Sequence, residues 1–301
     1  MKKENENDRE PLSGGTNGLQ TDLHTHTTAS DGSLTPRELI RLGKKIGLSS
    51  LAVTDHDTVS GLAEAMAEGK RLGIPVIPGV EISTFYEECE IHLLGLFIEP
   101  TCRELTAALL DMAQKRKERN RAMIQKLHDA GLPISQQDFP QETGMVTRTH
   151  IGALLTERGR ASSPMEAVQT YMTPGGVGYV PKARFSPPEC AGLIHRAGGA
   201  VIIAHVNQIS RDPQRALSTA KALLVEKFAD GLETRYCQYD DFWRREAEHL
   251  AEETGALRSG GSDFHGNFKP GLSLGCGYGD LFVPQSFAEA IADFLQKKRN
   301  G

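Results

Sequence analysis

The chain has 301 residues, of which 39% are hydrophobic and 24% charged, with a formal net charge of -5 and a pI of about 6.1. This composition is typical of one large globular domain, or of one domain with an insertion. It lacks the basic excess of a non-specific nucleic-acid binder but does not exclude a local basic groove. No stretch is suited to spanning a membrane. Because the five cysteines are odd in number and lack CxxC spacing, we expect a reducing compartment and a cytoplasmic protein.

Short apolar runs alternate with helical patterns from residue 21 onward. Residues 1–20 are polar and have no apolar segment, so we expect a disordered tail and not a signal peptide. Strands are predicted at 21–23, 51–53, 74–77, 79–83 and 91–97, and helices from Thr35-Pro36 to about Gly47 and over 59–72. This repeated alternation of short strands and helices predicts an α/β barrel whose first part covers 21–100.

A change of periodicity after residue 100 predicts an insertion. Charged helical patterns cover 103–130, shorter ones cover 149–159 and 164–172, and a Pro/Gly-rich stretch at 173–176 interrupts them. The barrel pattern then resumes, with predicted helices over 189–197 and 239–254 and predicted strands at 200–204, 231–233 and 257–262. We therefore expect a mainly helical subdomain at 101–187 and the second part of the barrel at 188–301.

Nine residues with imidazole or carboxylate side chains fall at or near predicted strand ends: His24, His26, Asp31, His56, Glu81, His92, His205, Asp263 and His265. Together these groups suit manganese, iron or zinc better than calcium or magnesium. In an extended strand, His24 and His26 point to the same side, so both can reach one ion. The alternative for this pair alone is that both side chains are simply solvated on one face of the strand. His128, His195 and His249 lie on predicted helices, where surface or packing roles are expected.

Several of these residues lie in short blocks that resemble the PHP (polymerase and histidinol phosphatase) family over residues 21 to about 279. The blocks are His24-Thr25-His26 with Asp31-Gly32, Thr54-Asp55-His56-Asp57, Gly79-Val80-Glu81, Ala204-His205, and Gly261-Ser262-Asp263-Phe264-His265-Gly266. Their order, spacing and residue types agree with the family at every ligand position. The resemblance implies a distorted seven-stranded (β/α) barrel with a site for three divalent metal ions. It implies these ligand sets: His24, His26, Glu81 and Asp263; Glu81, His92 and His205; and Asp31, His56 and His265.

Such a site suits hydrolysis of a phosphate ester by a water that the ions activate. We count His205, His265 and Asp263 as catalytic candidates, and His205, His265 or a water could protonate the leaving oxygen. Asp55 and Asp57 are expected either to orient His56 or a neighbour or, in the case of Asp57, to cap a helix.

Substrate selection is assigned to the insertion. Arg148 and His150, followed later by Tyr179-Val180-Pro181-Lys182, resemble a pattern of nucleotide phosphatases and 5'-to-3' exoribonucleases within the family, which commonly has Pro where this chain has Thr149. We expect Arg148, with His150, Lys182 and Arg184, to hold a second phosphate or a nucleotide 5' end, the alternative being an exposed arginine near a helix start. Beyond the insertion, Arg235 and Tyr236 could contact phosphate or a base, although a tyrosine at a barrel rim often packs under a loop.

The favoured function is therefore a metal-dependent phosphatase acting on a small nucleotide. The alternatives are a 5'-to-3' exonuclease on short oligonucleotides, a histidinol phosphatase and a non-catalytic metal-bound module. The expected partner is a small nucleotide or short oligonucleotide, no membrane partner is expected, and the sequence supports no expectation about oligomeric state.

Overall fold

The computed structural model describes residues 19–139, 146, 148–181 and 183–300. Of the predicted tail, residues 1–18 lie outside this part, while Leu19 and Gln20 are ordered by contacts with Gln285 and Pro284. The chain divides into two compact units: Ala108–Arg184, called unit 2 below, and the remainder, called unit 1. The insertion was predicted slightly wider, at 101–187.

The strands of unit 1 form a seven-stranded sheet in sequence order within the described residues. They are β1 Thr21–Asp22, β2 Ser50–Val53, β3 Val76–Tyr86, β4 Cys89–Leu96, β5 Ala200–Ile203, β6 Gly231–Tyr236 and β7 Leu257–Gly261. Neighbours are parallel except β3–β4 and β4–β5, which are antiparallel. The Leu23 amide donates to the Gly260 carbonyl at 3.0 Å, which joins the two sheet edges. The result is a nearly closed barrel, as the sequence predicted.

The strands predicted at 79–83 and 91–97, with no predicted helix between them, belong to the antiparallel β3–β4 hairpin. Glu87 and Glu88 have φ values of 44° and 68°, the left-handed geometry that suits a tight hairpin turn. The separate strands predicted at 74–77 and 79–83 are one strand, because Pro78 does not interrupt it and its carbonyl accepts the Ile98 amide at 3.2 Å.

Helices of the described residues are α1 Pro36–Lys45, α2 Leu62–Leu72, α3 Arg103–Asp129, α4 Arg148–Glu157, α5 Pro164–Tyr171, α6 Pro187–Arg196, α7 Pro213–Val225, α8 Asp241–Thr254 and α9 Gln285–Asn300. Thr35 caps α1 in a capping box with Glu38, as the Thr35-Pro36 start indicates. Helices α7 and α9 were not predicted. Helix α9 nonetheless contributes Ala288, Ile291 and Leu295 to a buried cluster with barrel residues.

Unit 2 has its own hydrophobic core, formed by Met123, Ile124, Leu127, Ile134, Ile151, Leu155, Ala167 and Met172. Helices α4 and α5 pack by their buried faces into this core, which explains why a helical segment of this length can fold as a compact unit. Across the described residues, no helix combines the length and apolarity needed to cross a membrane. The five cysteines form no disulfide.

Candidate metal centre

The nine residues predicted as metal ligands lie together in unit 1. They form four overlapping groups, in each of which the candidate ligand atoms lie within 4.8 Å of one another. The groups are His26, Asp31, His56 and His265; His24, Glu81 and His205; His24, His26 and Asp263; and His56, Glu81 and His92. Because each group shares a residue with another, the nine side chains make one continuous cluster.

The barrel brings these residues together from six of its strands or the segments that follow them. Glu81 and His92 lie inside β3 and β4, since the antiparallel hairpin continues beyond the point where the parallel strands end. His205 and Asp263 have φ values of 28° and 54°. A left-handed backbone at residues other than glycine is costly and concentrates at functional sites.

Glu81 lies at the centre of the cluster and is 1% exposed. Its Oε1 atom lies 2.8 Å from His92 Nδ1 and 3.0 Å from His205 Nε2. Its Oε2 atom lies near three further ring nitrogens: His56 Nδ1 at 3.0 Å, His24 Nε2 at 3.2 Å and His26 Nε2 at 3.2 Å. One carboxylate therefore faces five imidazoles, which suits a ligand that bridges two ions.

The other two carboxylates lie on either side of this centre. Asp263 Oδ1 is 3.3 Å from His26 Nε2 and 3.7 Å from His24 Nε2. Asp31 Oδ1 is 3.3 Å from His265 Nε2, and Asp31 Oδ2 is 3.9 Å from His56 Nε2. The site opens toward solvent on the Asp31 side, where that side chain is 56% exposed, whereas His24 and His26 are fully buried.

The candidate ligand atoms are arranged as ligands of divalent ions, and some of them lack hydrogen-bond partners within the protein. Glu81 Oε2 and His26 Nδ1 are buried and have no hydrogen-bond partner. The Nε2 atoms of His24 and His26 are 3.1 Å apart. Two nitrogens bound to one ion at about 2.0–2.1 Å would be separated by roughly 3.0–3.4 Å. The buried, inward-facing nitrogens therefore have the spacing that a shared ion requires.

The four observed groups overlap the three predicted ligand sets without coinciding with them. His26 also joins the group of Asp31, His56 and His265, His205 is grouped with His24 and Glu81, and His92 is grouped with Glu81 and His56. Glu81 is also absent from the group of His24, His26 and Asp263. The overlap reflects the central positions of His24, His26 and Glu81, each of which lies near members of more than one predicted set. The assignment of ligands to individual ions remains a prediction.

The charged groups of the cluster shift one another's proton affinities. Burial lowers the pKa of His26, but the negative carboxylates of Asp263 and Glu81, 3.3 Å and 3.2 Å from its Nε2, outweigh burial and raise that pKa to about 9. Burial raises the pKa of Glu81, but the neighbouring His56, His24 and His92 hold it well below its usual range. Burial dominates at His56 and lowers its pKa to about 3. In the metal-free protein, His26 therefore holds a proton at neutral pH beside an ionised Glu81.

We expect metal binding to tighten as the pH rises from 6.5 to 8. The His26 proton competes with an ion for the ring nitrogen below the pKa of about 9, so binding must release it. Calorimetric titration of metal-free protein with Mn²⁺ should show up to about a tenfold gain in affinity per pH unit for each proton released. Buffers of different ionisation enthalpy would count the protons. An affinity that does not change with pH would contradict this protonation state.

Glu233 supports two of the candidate ligands and was not predicted. It is fully buried at the middle of β6. Its Oε1 lies 3.0 Å from His24 Nδ1, and its Oε2 accepts the His205 amide at 2.6 Å. A carboxylate on the far nitrogen fixes the tautomer and orientation of a metal-binding histidine. The signal in the sequence was a carboxylate at the end of the strand predicted at 231–233.

Asp55 supports a loop next to His56, which is one of the roles predicted for it, whereas Asp57 does not cap a helix. Asp55 accepts hydrogen bonds from the Thr27 amide at 2.7 Å and the Ser30 hydroxyl at 2.6 Å, so it holds the loop that carries Asp31 and does not orient His56. Asp57 does not cap α2, which begins at Leu62 with Gly61 as its cap. Its carboxylate instead lies 3.4 Å from the Ser83 amide on β3.

Arg235 and Tyr236 are not placed for the predicted substrate contact. Arg235 pairs with Glu248 of α8. Tyr236 is 3% exposed, and its hydroxyl donates to Asp263 Oδ2 at 2.9 Å while accepting from Gln208 Nε2 at 2.7 Å. A register irregularity in β6 between Glu233 and Arg235 lets both Glu233 and Tyr236 face the cluster while Arg235 faces α8, so we do not retain either Arg235 or Tyr236 as a substrate contact.

The other predicted substrate residues belong to unit 2. Arg148 and His150 lie exposed in the first turn of α4, and Arg184 is exposed near the end of the unit. Lys182 lies outside the described residues. Helix α3 holds residues 179 and 180, which precede Lys182 in the chain. Arg119 Nε donates to the Val180 carbonyl at 3.0 Å, and Lys126 Nζ donates to the Tyr179 carbonyl at 2.9 Å.

Comparisons with known proteins show the family to which the chain belongs. The PHP domain profile matches residues 22–170. The 5'-3' exoribonuclease Rnm of Escherichia coli K12 is 35% identical over 248 residues, which cover 81% of this chain and 84% of the relative. The 3',5'-nucleoside bisphosphate phosphatase of Chromobacterium violaceum is 35% identical over 262 residues, which cover 84% and 90%.

A solved structure extends the likeness to the fold. A protein of Bifidobacterium adolescentis, assigned as a metal-dependent phosphoesterase, matches with a TM-score of 0.71 and 27% identity over 92% of this chain and 96% of its own. Barrel topology, the clustered side chains and relatives matched over most of their length lead to one assignment. This chain belongs to the PHP domain family.

Proposed function

We propose that this protein is a metal-dependent phosphatase that hydrolyses a phosphomonoester of a small nucleotide, either a 3',5'-bisphosphate or an AMP-like monophosphate. The observation that carries the proposal is the cluster of six imidazoles and three carboxylates around Glu81, which opens to solvent at Asp31. Phosphoric ester hydrolysis is the chemistry shared by the relatives, which are named as an exoribonuclease and a bisphosphate phosphatase.

The nine clustered residues would hold three divalent ions, with manganese, iron and zinc as the candidates. When bound, such ions lower the pKa of water and neutralise phosphoryl oxygens. The chain's contribution is to fix the ligand orientations. Glu233 orients His24 from behind, and Tyr236 holds one oxygen of Asp263 so that the other faces His26.

The contacts of His205 and His265, the two histidines considered as general acids, favour ligand roles for them. His265 Nδ1 lies 2.8 Å from the Asp263 carbonyl, so it donates there and leaves Nε2 facing Asp31. His205 Nε2 faces Glu81 at 3.0 Å. These contacts support ligand roles for His205, His265 and Asp263, and a water is then the better candidate to protonate the leaving oxygen.

A basic surface on unit 2 supports an anionic substrate. Burial lowers the pKa of the half-buried Arg119, and the like charges of Arg148, Arg184 and Arg116 lower it further. An anion that binds between these arginines would relieve their mutual repulsion, and its binding is favoured for that reason. We propose that Arg148, with His150, Lys182 and Arg184, binds a second phosphate of the substrate.

Replacing Arg148 by alanine should therefore penalise doubly phosphorylated substrates selectively. A lost charge-assisted contact is expected to lower kcat/KM for adenosine 3',5'-bisphosphate by about tenfold or more, while a simple aryl phosphate is affected little. Arg160→Ala, another exposed arginine of unit 2, serves as the matched control. Equal losses on both substrates would remove the case for this contact.

A 5'-to-3' exonuclease activity is the second candidate, supported by the 35% identity to the exoribonuclease relative. Manganese-loaded protein should be compared on adenosine 3',5'-bisphosphate, AMP and a 5'-phosphorylated RNA tetramer at matched concentration. Faster phosphate release from a mononucleotide supports the phosphatase. Stepwise shortening of the tetramer as the fastest reaction would transfer the assignment to the exonuclease.

A further inference from the structure

Lys269 lies against the candidate metal centre but belongs to none of the predicted sets. It follows the 3₁₀ turn Gly266–Phe268 that leads away from His265. Its Nζ is 2.6 Å from Asp263 Oδ2 and 3.2 Å from the Asp263 carbonyl oxygen. The side chain is 29% exposed, whereas Asp263 is 7% exposed. The ammonium group therefore lies between a buried candidate ligand and solvent.

The orientation of Asp263 does not depend on Lys269 alone. The Tyr236 hydroxyl donates to the same Oδ2 atom at 2.9 Å, and this oxygen is the one turned away from His26. The buried tyrosine therefore shares the holding of this carboxylate, and it does so without a charge. The positive charge of Lys269 offers something that the tyrosine does not.

Charge balance at the cluster supplies that explanation, and this step rests on the proposed function. Asp31, Glu81 and Asp263 bring three negative charges, and the buried Glu233 adds a fourth from behind. Three divalent ions would bring six positive charges. In the loaded site the ammonium group is thus a further cation beside an excess of positive charge, and an anion such as a phosphoryl group that binds beside it would offset that excess.

We propose that Lys269 is a phosphate-binding residue of this site. An ammonium group has three hydrogens, and Asp263 accepts through two oxygen atoms, so one hydrogen remains for a phosphoryl oxygen that arrives from solvent. The residue holds the bound phosphoryl group by charge and hydrogen bond, with Asp263 and Tyr236 anchoring its position. Substrate and inorganic phosphate product should both depend on it.

The test measures the affinity of the manganese-loaded protein for inorganic phosphate by calorimetry, and bound manganese per chain by elemental analysis. Lys269→Met keeps the length of the side chain and removes the charge, whereas Lys269→Arg keeps the charge. Lys221→Met is the matched control, because Lys221 is 47% exposed and pairs with Glu253 between α7 and α8. We expect Lys269→Met to weaken phosphate binding about tenfold or more, and Lys269→Arg to restore most of the affinity.

Two results would overturn the proposal. One is unchanged phosphate affinity in Lys269→Met with its manganese retained. The other is loss of manganese from Lys269→Met, which would make Lys269 a positioning residue that acts through Asp263. If phosphate binding depends on Lys269 but no nucleotide is hydrolysed, the inference stands while the proposed substrate class is contradicted.

Discussion

Replacing Glu81 by glutamine is expected to remove bound metal and nearly all hydrolysis. The carboxylate is buried, is held ionised by its imidazole neighbours and lies within 3.2 Å of five ring nitrogens, so an amide would remove a central negative charge and turn a donor toward other donors. Changing a residue that only supports a metal ligand typically lowers metal affinity or activity about 10- to 100-fold. Because Glu81 is itself a candidate ligand, its replacement should lower activity by more than about 100-fold. Activity and metal content measured on the same sample check this.

The control for this substitution is Glu68→Gln. Glu68 is also a poorly exposed carboxylate, at 5%, but it pairs with Arg41 at 2.6 Å and Arg71 at 2.7 Å, away from the cluster. Its replacement should leave manganese content and phosphate release unchanged. Full metal content and normal hydrolysis in Glu81→Gln would show that Glu81 is not the bridging ligand.

The second large effect is expected for Glu233→Gln. Glu233 accepts from His24 Nδ1 with one oxygen and from the His205 amide with the other. A glutamine has one carbonyl oxygen, so one of these two donors would face an NH₂ group. We expect a loss of about 10- to 100-fold in metal affinity, with a matching loss of hydrolysis at limiting manganese.

Glu248→Gln provides the comparison for Glu233. Glu248 lies on α8 and pairs with Arg258 at 2.7 Å, outside the cluster. Its substitution should leave the manganese titration unchanged. If Glu233→Gln also titrates like the unaltered protein, the carboxylate is a packing element and not a support for His24.

The sequence was most informative where chemistry depends on residue type and local spacing. His24 and His26, two residues apart after a short strand, had to share a side, and the structure places their Nε2 atoms 3.1 Å apart. Thr35-Pro36 likewise predicted the start of α1 because capping is a local interaction. The barrel was predicted from the repeated alternation of strands and helices together with the family resemblance.

Contacts between residues distant in sequence were the part that could not be predicted. Glu233 lies 209 residues from His24, and only the closed barrel brings them together. Tyr236 was placed at the rim because β6 was predicted to end at residue 233, whereas the strand continues to Tyr236 and turns the ring inward. The antiparallel hairpin was missed because the short Glu87-Glu88 turn lacks the glycine or asparagine that usually signals one.

The most direct test is a titration of metal-free protein with Mn²⁺ that follows phosphate release from adenosine 3',5'-bisphosphate. We expect no release in the presence of chelator, because the ions would activate the attacking water. Release should rise and level off near three bound ions per chain, the number that the proposed site would hold. Glu81→Gln should stay inactive throughout. Full release from the metal-free protein in chelator, or a normal titration of Glu81→Gln, would contradict a metal-dependent phosphatase built around this cluster.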